Sequence, residues 1–450
     1  MRIRLDSVGC RLNIGEIEAM ARGLSAAGHL IVAPGEPADL CVLNTCTVTA
    51  TAARKSRQSI RQLRRSNPDA RMVATGCLAE LEAESIEDLG VDLIIGNEDK
   101  DDLPEILTRH GLLQPAEGSS EPTGITPGNR TRAFLKVQDG CDNRCAFCVV
   151  TVARGPGRST DGDRIVAEVR NLRSLGYREV VLSGVHLGSF GLDFGRPRGL
   201  EELVRRILAE TDLPRLRLSS LEPWDLSPGF FDLFGDSRLL PHLHLPLQSG
   251  CNATLRRMAR KTTAEDFSSL VATARRTIGD VSISTDIMAG FPGETDEEFE
   301  ETMAAVEKLA FSRLHVFRYS RREGTPAATL PNPVPGPVIQ ERSRRLHELG
   351  QQLMTDFHAK FIGRRMTVLW EGAEEWGDVR RWSGLTGNYI RVLTETGSAA
   401  DLANQVAEVE IEACIPGGVI GAVPGVSTSG IESESRRRVG PLTVIPIRDS

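Results

Sequence analysis

Three cysteines fall within one short run, Gly140-Cys141-Asp142-Asn143-Arg144-Cys145-Ala146-Phe147-Cys148. Thiolates spaced C-x3-C-x2-C can wrap a [4Fe–4S] cube and leave one iron without a protein ligand. Such an open iron can chelate the amino and carboxylate groups of S-adenosylmethionine. An electron passed into the sulfonium then releases a 5′-deoxyadenosyl radical. The reactive chemistry belongs to the cofactor, and the protein supplies position and shielding. A structural zinc site is the competing use of these thiols, but it normally takes a fourth cysteine or histidine nearby. The nearest histidines in sequence are His110 and His186, and no second cysteine pair follows.

Three other cysteines lie far apart, in Val8-Gly9-Cys10-Arg11, Asn44-Thr45-Cys46-Thr47 and Thr75-Gly76-Cys77-Leu78. Each follows a short apolar run that reads as a strand. Loops at the carboxyl ends of neighbouring strands in an open parallel sheet meet in a crevice. Three such loops, each bringing one thiolate, would hold a second cubane with an open iron. Three inert buried cysteines are the plainer alternative. Cys41, inside a strand run, reads as core; Cys251 and Cys414 read as structural. The nine cysteines form an odd set with no secretory segment, which argues against a disulfide framework.

These thiols need elements to place them. Residues 1–111 alternate strands (Ile3–Val8, Leu40–Leu43, Met72–Thr75, Leu93–Ile95) with helical patterns (Gly15–Ala27, Ala50–Asn67, Leu78–Asp88). That is a doubly wound α/β pattern around a parallel sheet. Residues 112–131, rich in Gly, Pro, Ser and Thr, read as a linker. Residues 132–362 carry six longer units, with strands at Ala133–Val137, Glu179–Leu182, Leu216–Ser219, Leu243–Leu245, Val281–Asp286 and Leu314–Arg318. A partial (β/α)6 barrel is expected, followed by a long helix from Val338. Residues 363–427 turn to alternating strands between glycine turns, as in a small antiparallel β-barrel. Residues 428–450 read as a loose tail.

Function in a (β/α) barrel gathers at the carboxyl ends of the strands. Here the first strand leads into the cysteine triplet and the second into Ser183-Gly184-Val185-His186. The third is followed by Glu222-Pro223 and the fourth by Gln248-Ser249-Gly250. The fifth leads to Asp286 and Gly290-Phe291-Pro292-Gly293-Glu294, the sixth to Tyr319-Ser320. Singly these are turns or caps; six on one rim describe one mouth. A net charge of −7 excludes a chain coated with phosphate-binding charge. It leaves room for local basic stripes such as Arg54–Arg65, Arg342–Arg345 and Arg436–Arg438. No apolar run is long enough to span a membrane, and Met1–Asp6 lacks a signal-peptide core, so a cytoplasmic protein is expected.

The triplet, with HLPLQSG at 244–250, TDIMAGFPGET at 285–295 and FRYSRREGTPAA at 317–328, resembles the radical S-adenosylmethionine methylthiotransferases. The resemblance runs from Met1 to about Val423. It implies an N-terminal methylthiotransferase domain, a radical domain and a C-terminal TRAM barrel. It also implies two [4Fe–4S] clusters: a radical one on Cys141, Cys145 and Cys148, and an auxiliary one on Cys10, Cys46 and Cys77 that carries or delivers sulfur. One S-adenosylmethionine would methylate that sulfur, and a second would give the radical that removes hydrogen from an unactivated aromatic C–H. Such a hydrogen is beyond a general base.

Ser183, Gly184, Glu222, Gln248 and Asp286 are the expected contacts to S-adenosylmethionine, and Arg154 and Arg158 are expected to act in catalysis or on substrate. Thr151 stands where the family frequently has proline. Gly184-Val185-His186-Leu187-Gly188 and Gly384-Leu385-Thr386-Gly387-Asn388-Tyr389-Ile390-Arg391-Val392 look most like the threonylcarbamoyladenosine branch (the MtaB type). That branch implies methylthiolation at C2 of N6-threonylcarbamoyladenosine at position 37, in a tRNA anticodon loop. Isopentenyladenosine tRNA and a ribosomal-protein aspartate are the family's other substrates. An electron donor such as flavodoxin or ferredoxin and a sulfur source would be partners, and nothing in the sequence asks for more than a monomer. A non-catalytic iron–sulfur RNA-binding scaffold is the alternative outside enzymology.

Overall fold

The computed structural model describes residues 1–113, 131–376, 379–397 and 400–424. Almost all of the expected linker, the whole expected tail and Arg436–Arg438 lie outside the described residues.

In the N-terminal domain β1 (Arg2–Ser7), β2 (Leu30–Ile31), β3 (Leu40–Thr45), β4 (Arg71–Gly76) and β5 (Leu93–Ile95) form one parallel sheet, ordered β2-β1-β3-β4-β5. Strand alternation splits its core in two. Cys41, Leu43, Met72 and Ala74 pack under Ile60 and Leu63 of α2 (the second helix, Ala50–Ser66; α1 is Arg11–Ala26). Leu40, Val42 and Val73 pack against Met20 and Leu24 of α1. Both faces are covered, so β3 is buried throughout. The helix expected at Leu78–Asp88 is two, α3 (Cys77–Leu81) and Ala83–Glu87. They break at Glu82, which leaves helical geometry (φ −135°, ψ 39°) while its carboxylate pairs with Arg57.

The central domain holds β6 (Arg132–Asp139), the two-residue β7 (Arg158–Ser159), β8 (Glu179–Gly184), β9 (Arg215–Leu218), β10 (His242–His244), β11 (Ser282–Ala289) and β12 (Arg313–Arg318). β6, β8 and β9 pair in parallel, as do β10, β11 and β12. A parallel bridge between Ser220 and His244 joins the two groups into a partial barrel. Leu135, Val137, Val180, Leu182, Leu216, Leu218, Leu243, Ile283 and Ile287 belong to one apolar core with the outer helices. Period-two alternation therefore turns Arg132, Lys136, Glu179, Arg217, His242, His244, Ser284, Asp286 and His315 to the concave face. That face is polar. The N-terminal domain packs there: a Cβ on Gly15 of α1 would lie 2.6 Å from the Phe134 carbonyl oxygen.

The helix Gly336–Ala359 leads to β13 (Arg365–Trp376), β14 (Val379–Thr386), β15 (Arg391–Gly397), β16 (Val406–Ile415) and β17 (Gly418–Ala422). These close a barrel in the order β13-β14-β15-β17-β16. The expectation of an antiparallel barrel needs one correction, because β15 and β17 run parallel. A closed ring with an odd number of strands cannot alternate direction all the way round. The turn after β14 docks under the central barrel. Arg215 and Arg217 donate to the carbonyls of Leu385 (3.2 Å) and Gly387 (3.0 Å), and Tyr389 stacks on His242 with ring centroids 4.6 Å apart.

Candidate active site

The register of the N-terminal sheet brings its three candidate ligands together. Ser7 pairs with Asn44, Asn44 with Thr75 and Thr45 with Gly76, so the loops holding Cys10, Cys46 and Cys77 leave adjacent strands at one level. Glycines permit the approach: a Cβ on Gly9 (φ +119°) would lie 3.0 Å from the Cys46 Sγ. Burial and then the neighbouring Cys10, with Cys77 behind it, push the Cys46 thiol up to about 12. Burial likewise raises Cys77, opposed by Arg154, whose Nε donates to the Cys77 Sγ at 3.3 Å.

The second triplet lies in the loop after β6, pinned at both ends. Cys141 N–H donates to the Gly155 carbonyl (3.0 Å), Ala146 N–H to Met258 (2.9 Å), and Ala327 N–H back to Ala146 (2.8 Å). Phe147, Met258, Phe291 and Tyr319 form an apolar floor beneath it. Gly140 at φ +69° makes the turn possible, since a Cβ there would sit 1.9 Å from the Pro156 carbonyl oxygen. Burial pushes Cys148 up to about 11 against the opposing N–H groups of Val150 and Thr151. Proline at Thr151 would remove one of those donors.

The surroundings of these sulfurs fit iron–sulfur clusters, whose thiolates accept N–H hydrogen bonds. Asn143 N–H donates to Cys141 (3.4 Å), Arg260 Nη1 reaches Cys145 (3.6 Å), and Val48 N–H serves Cys46. Among the described residues, no three His, Cys, Asp or Glu side chains are close enough to share one metal ion. A tetrahedral zinc needs its donors about 2.0 to 2.3 Å from one centre. A cube takes each thiolate on a separate iron and so accepts wider spacing.

Other rim residues fall as follows. Ser183 is buried at the end of β8, and Gly184 is crowded by Gln138. Glu222 pairs with Arg260 at 2.6 Å, and Arg260 also lies 4.5 Å from the Trp224 ring. Gln248 adopts φ +74° between backbone bonds to Asp286 and Met288. Asp286 lies inside its strand and not at its end, because β11 runs on to Ala289; it lies 3.3 Å from His244. Arg158 donates to the Arg154 carbonyl and meets Glu98 at 3.5 Å.

Arg154 stands in a buried seam between the domains. It contacts Glu16 (2.9 Å), Asp139 (2.9 Å) and Asn13 (2.9 Å) as well as Cys77. Lys100 lies 2.7 Å from Glu16, and Lys136 3.4 Å from Asp139. Burial would raise Glu16, but Arg154, Lys100 and Lys136 outweigh it and hold the carboxyl well below its ordinary range. Asp139 precedes Gly140-Cys141. One arginine thus touches a candidate ligand of the N-terminal triplet and the last residue of β6, the strand that leads into the other triplet.

A family model described as Radical SAM superfamily matches residues 135–306, and one described as Uncharacterized protein family UPF0004 matches residues 2–96. The chain is 34% identical to the threonylcarbamoyladenosine tRNA methylthiotransferase MtaB of Bacillus subtilis, over 91% of this chain and 93% of that one. It belongs to the radical S-adenosylmethionine methylthiotransferases. Identity to the MtaB protein of Thermotoga maritima is 36% (82% and 86% covered). To the tRNA-2-methylthio-N(6)-dimethylallyladenosine synthase of Novosphingobium aromaticivorans it is 35% (85% and 91%). The fold is shared with the radical S-adenosylmethionine methyltransferase TsrM from Kitasatospora setae (TM-score 0.55, 18% identity, 73% and 75% covered). This methylthiotransferase therefore uses [4Fe–4S] chemistry and S-adenosylmethionine.

Several side chains around its thiols carried no sequence signal. These are Arg260 and the Glu16–Lys100–Asp139 seam; His186, on the rim already in the sequence, bonds Asp225 and lies 3.3 Å from the Asn143 side chain. Burial disfavours a charged ring, yet Asp225 and Cys141 outweigh it and raise His186 to about 10. Only the basic cluster at Arg342–Arg345 sent a signal that the fold annuls. Arg342 is buried on Glu294 and Asp296, Arg344 pairs with Glu341 and Glu348, and Arg345 with Glu300.

Proposed function

We propose that this enzyme adds a methylthio group to C2 of N6-threonylcarbamoyladenosine at position 37 of tRNA, with one [4Fe–4S] cluster on each cysteine triplet and two S-adenosylmethionine molecules consumed. The observation that carries this is that Arg154 links the surroundings of the two triplets: its Nε lies on Cys77 while its Nη1 holds Asp139, at the end of β6 and two residues before Cys141. When bound, the clusters and S-adenosylmethionine supply the sulfur and the radical that an inert aromatic C–H requires.

The chain's own residues do the rest. Ser183, Gly184, Glu222, Gln248 and Asp286 line the mouth as contacts to S-adenosylmethionine or substrate. The Phe147–Phe291–Tyr319 floor keeps water from the reactive carbon. For the tRNA, α2 offers exposed Arg54, Lys55, Arg61 and Arg65, and Arg318 at the end of β12 and Arg321 just past it are exposed. The two groups are neighbours, because the Ala50 N–H donates to Ser320 (3.3 Å) at the start of α2. Among the described residues no helix is long and apolar enough to cross a membrane. A cytoplasmic monomer, served by a flavodoxin- or ferredoxin-type donor and a sulfur source, agrees with this reading.

Dimethylallyladenosine tRNA is the second reading, favoured by relatives of that name at 34–35% identity. The test is anaerobic turnover of reconstituted enzyme with tRNA bearing threonylcarbamoyladenosine or isopentenyladenosine. Methylthio product on the first alone is expected; product on the second alone would overturn the assignment.

A further inference from the structure

Nothing described so far uses Arg11, the residue after Cys10. Its guanidinium carbon lies 5.1 Å from the centroid of the Tyr389 ring, so it points toward the concave face of the central barrel. Two other arginines share that ring, Arg217 at 4.6 Å and Arg132 at 5.7 Å. Both have carboxylate partners, Arg217 sharing Glu179 (2.7 Å) with Arg215 and Arg132 pairing with Glu371 (2.7 Å). Among the described residues Arg11 has no carboxylate partner, although it is half-buried. The nearby His242 is stacked on Tyr389, and Asp286 is held by His244 at 3.3 Å. All three domains thus meet at a concave surface where, among the described residues, Arg11 is the guanidinium on the Tyr389 ring with no carboxylate partner. Partial burial of such a charge is costly unless an anion completes the site.

Resting on the substrate reading above, we infer that Arg11 pairs with the carboxylate of the N6-threonylcarbamoyl group and so selects that substrate. The N6 substituent and C2 share the Watson–Crick edge of adenine. A base that presents C2 to the thiol sites must carry its substituent close by. Arg11 follows an auxiliary candidate ligand directly, so its reach is one side chain from that site. A guanidinium takes a carboxylate through two parallel hydrogen bonds. A dimethylallyl group offers it nothing.

The experiment uses reconstituted full-length enzyme and three tRNAs: one with threonylcarbamoyladenosine, the same tRNA with that carboxylate converted to its methylamide, and one with isopentenyladenosine. Wild type should lose about 30-fold or more in kcat/KM on amidation. Arg11→Gln should show a similar loss on the free acid and little further loss on the amide, and Arg11→Lys should recover part of it. Iron and sulfide per chain should equal wild type in both variants. Full activity of Arg11→Gln on the free acid overturns the inference, as does loss of iron, which would place Arg11 in cluster housing. Wild type acting only on isopentenyladenosine tRNA would overturn the substrate reading, and this inference with it.

Discussion

Replacing Arg154 by methionine keeps the bulk of the side chain and removes its charge. Arg154, Lys100 and Lys136 face Glu16, Asp139 and the largely exposed Asp101, three cations for three carboxylates, in a seam where Glu16 and Lys100 are fully buried. A Cys77 thiolate, as a cluster would require, adds a further negative charge that the Arg154 Nε meets directly. Removing Arg154 leaves two lysines for the two buried carboxylates and the solvated Asp101 (67% exposed), so the empty protein should survive with a loss of about 3 kcal/mol, the lower end for breaking a buried pair. The loaded protein loses more, because the Cys77 thiolate then lacks its cation. Removing a hydrogen-bond partner of a metal ligand typically costs about 10- to 100-fold in affinity. Iron per chain after timed chelator challenge, with electron paramagnetic resonance to tell the clusters apart, reads this directly. Arg154→Met should shed auxiliary iron first while the radical cluster stays. Arg158→Met is the control, since its pair with Glu98 is exposed (side chains 38% and 75%) and worth under about 1 kcal/mol. Equal retention of both clusters in wild type and Arg154→Met would refute the reasoning.

Three other outcomes follow from the fold. Gly140→Ala forces a Cβ into the Pro156 carbonyl at a φ of +69°, so iron at the Cys141 triplet should fall to background with the auxiliary iron retained. Glu179→Gln strands Arg215 and Arg217. Although burial opposes ionisation, those arginines hold Glu179 at about 2, so the change should cost about 3 to 5 kcal/mol and expose the β14–β15 turn to limited proteolysis. Burial lowers His358 from 6.5 to about 4. The unfolded chain then binds the extra proton between those values, so stability is lost as pH falls from 6.5 toward 4, by roughly 3 kcal/mol in all. Denaturant melts of His358→Gln should lack that part of the acid slope.

Much of this was legible because spacing and period carry it. The C-x3-C-x2-C run is a local signal. The three separated cysteines were readable because each closes a strand, and parallel register aligns strand ends. Short elements left less trace: β2 has two residues and no period to detect. Partners distant in sequence left none. Arg154 meets Asn13 across 141 residues and Arg260 meets Cys145 across 115, and a lone charged residue does not announce which distant group it will find. For the same reason Arg342 and Arg345 looked free, while their acids came from Glu294, Asp296 and Glu300 on an earlier helix and its entry turn; Arg344 alone found its partners, Glu341 and Glu348, nearby in sequence.

The most direct test of the central claim is modified-nucleoside mass spectrometry of tRNA from cells lacking this chain, complemented with wild type, Cys46→Ala or Cys145→Ala. The account predicts 2-methylthio-N6-threonylcarbamoyladenosine with wild type alone, and unmethylthiolated threonylcarbamoyladenosine with either variant. An unchanged level of the methylthio nucleoside in the uncomplemented cells, or its return with either cysteine variant, would contradict it.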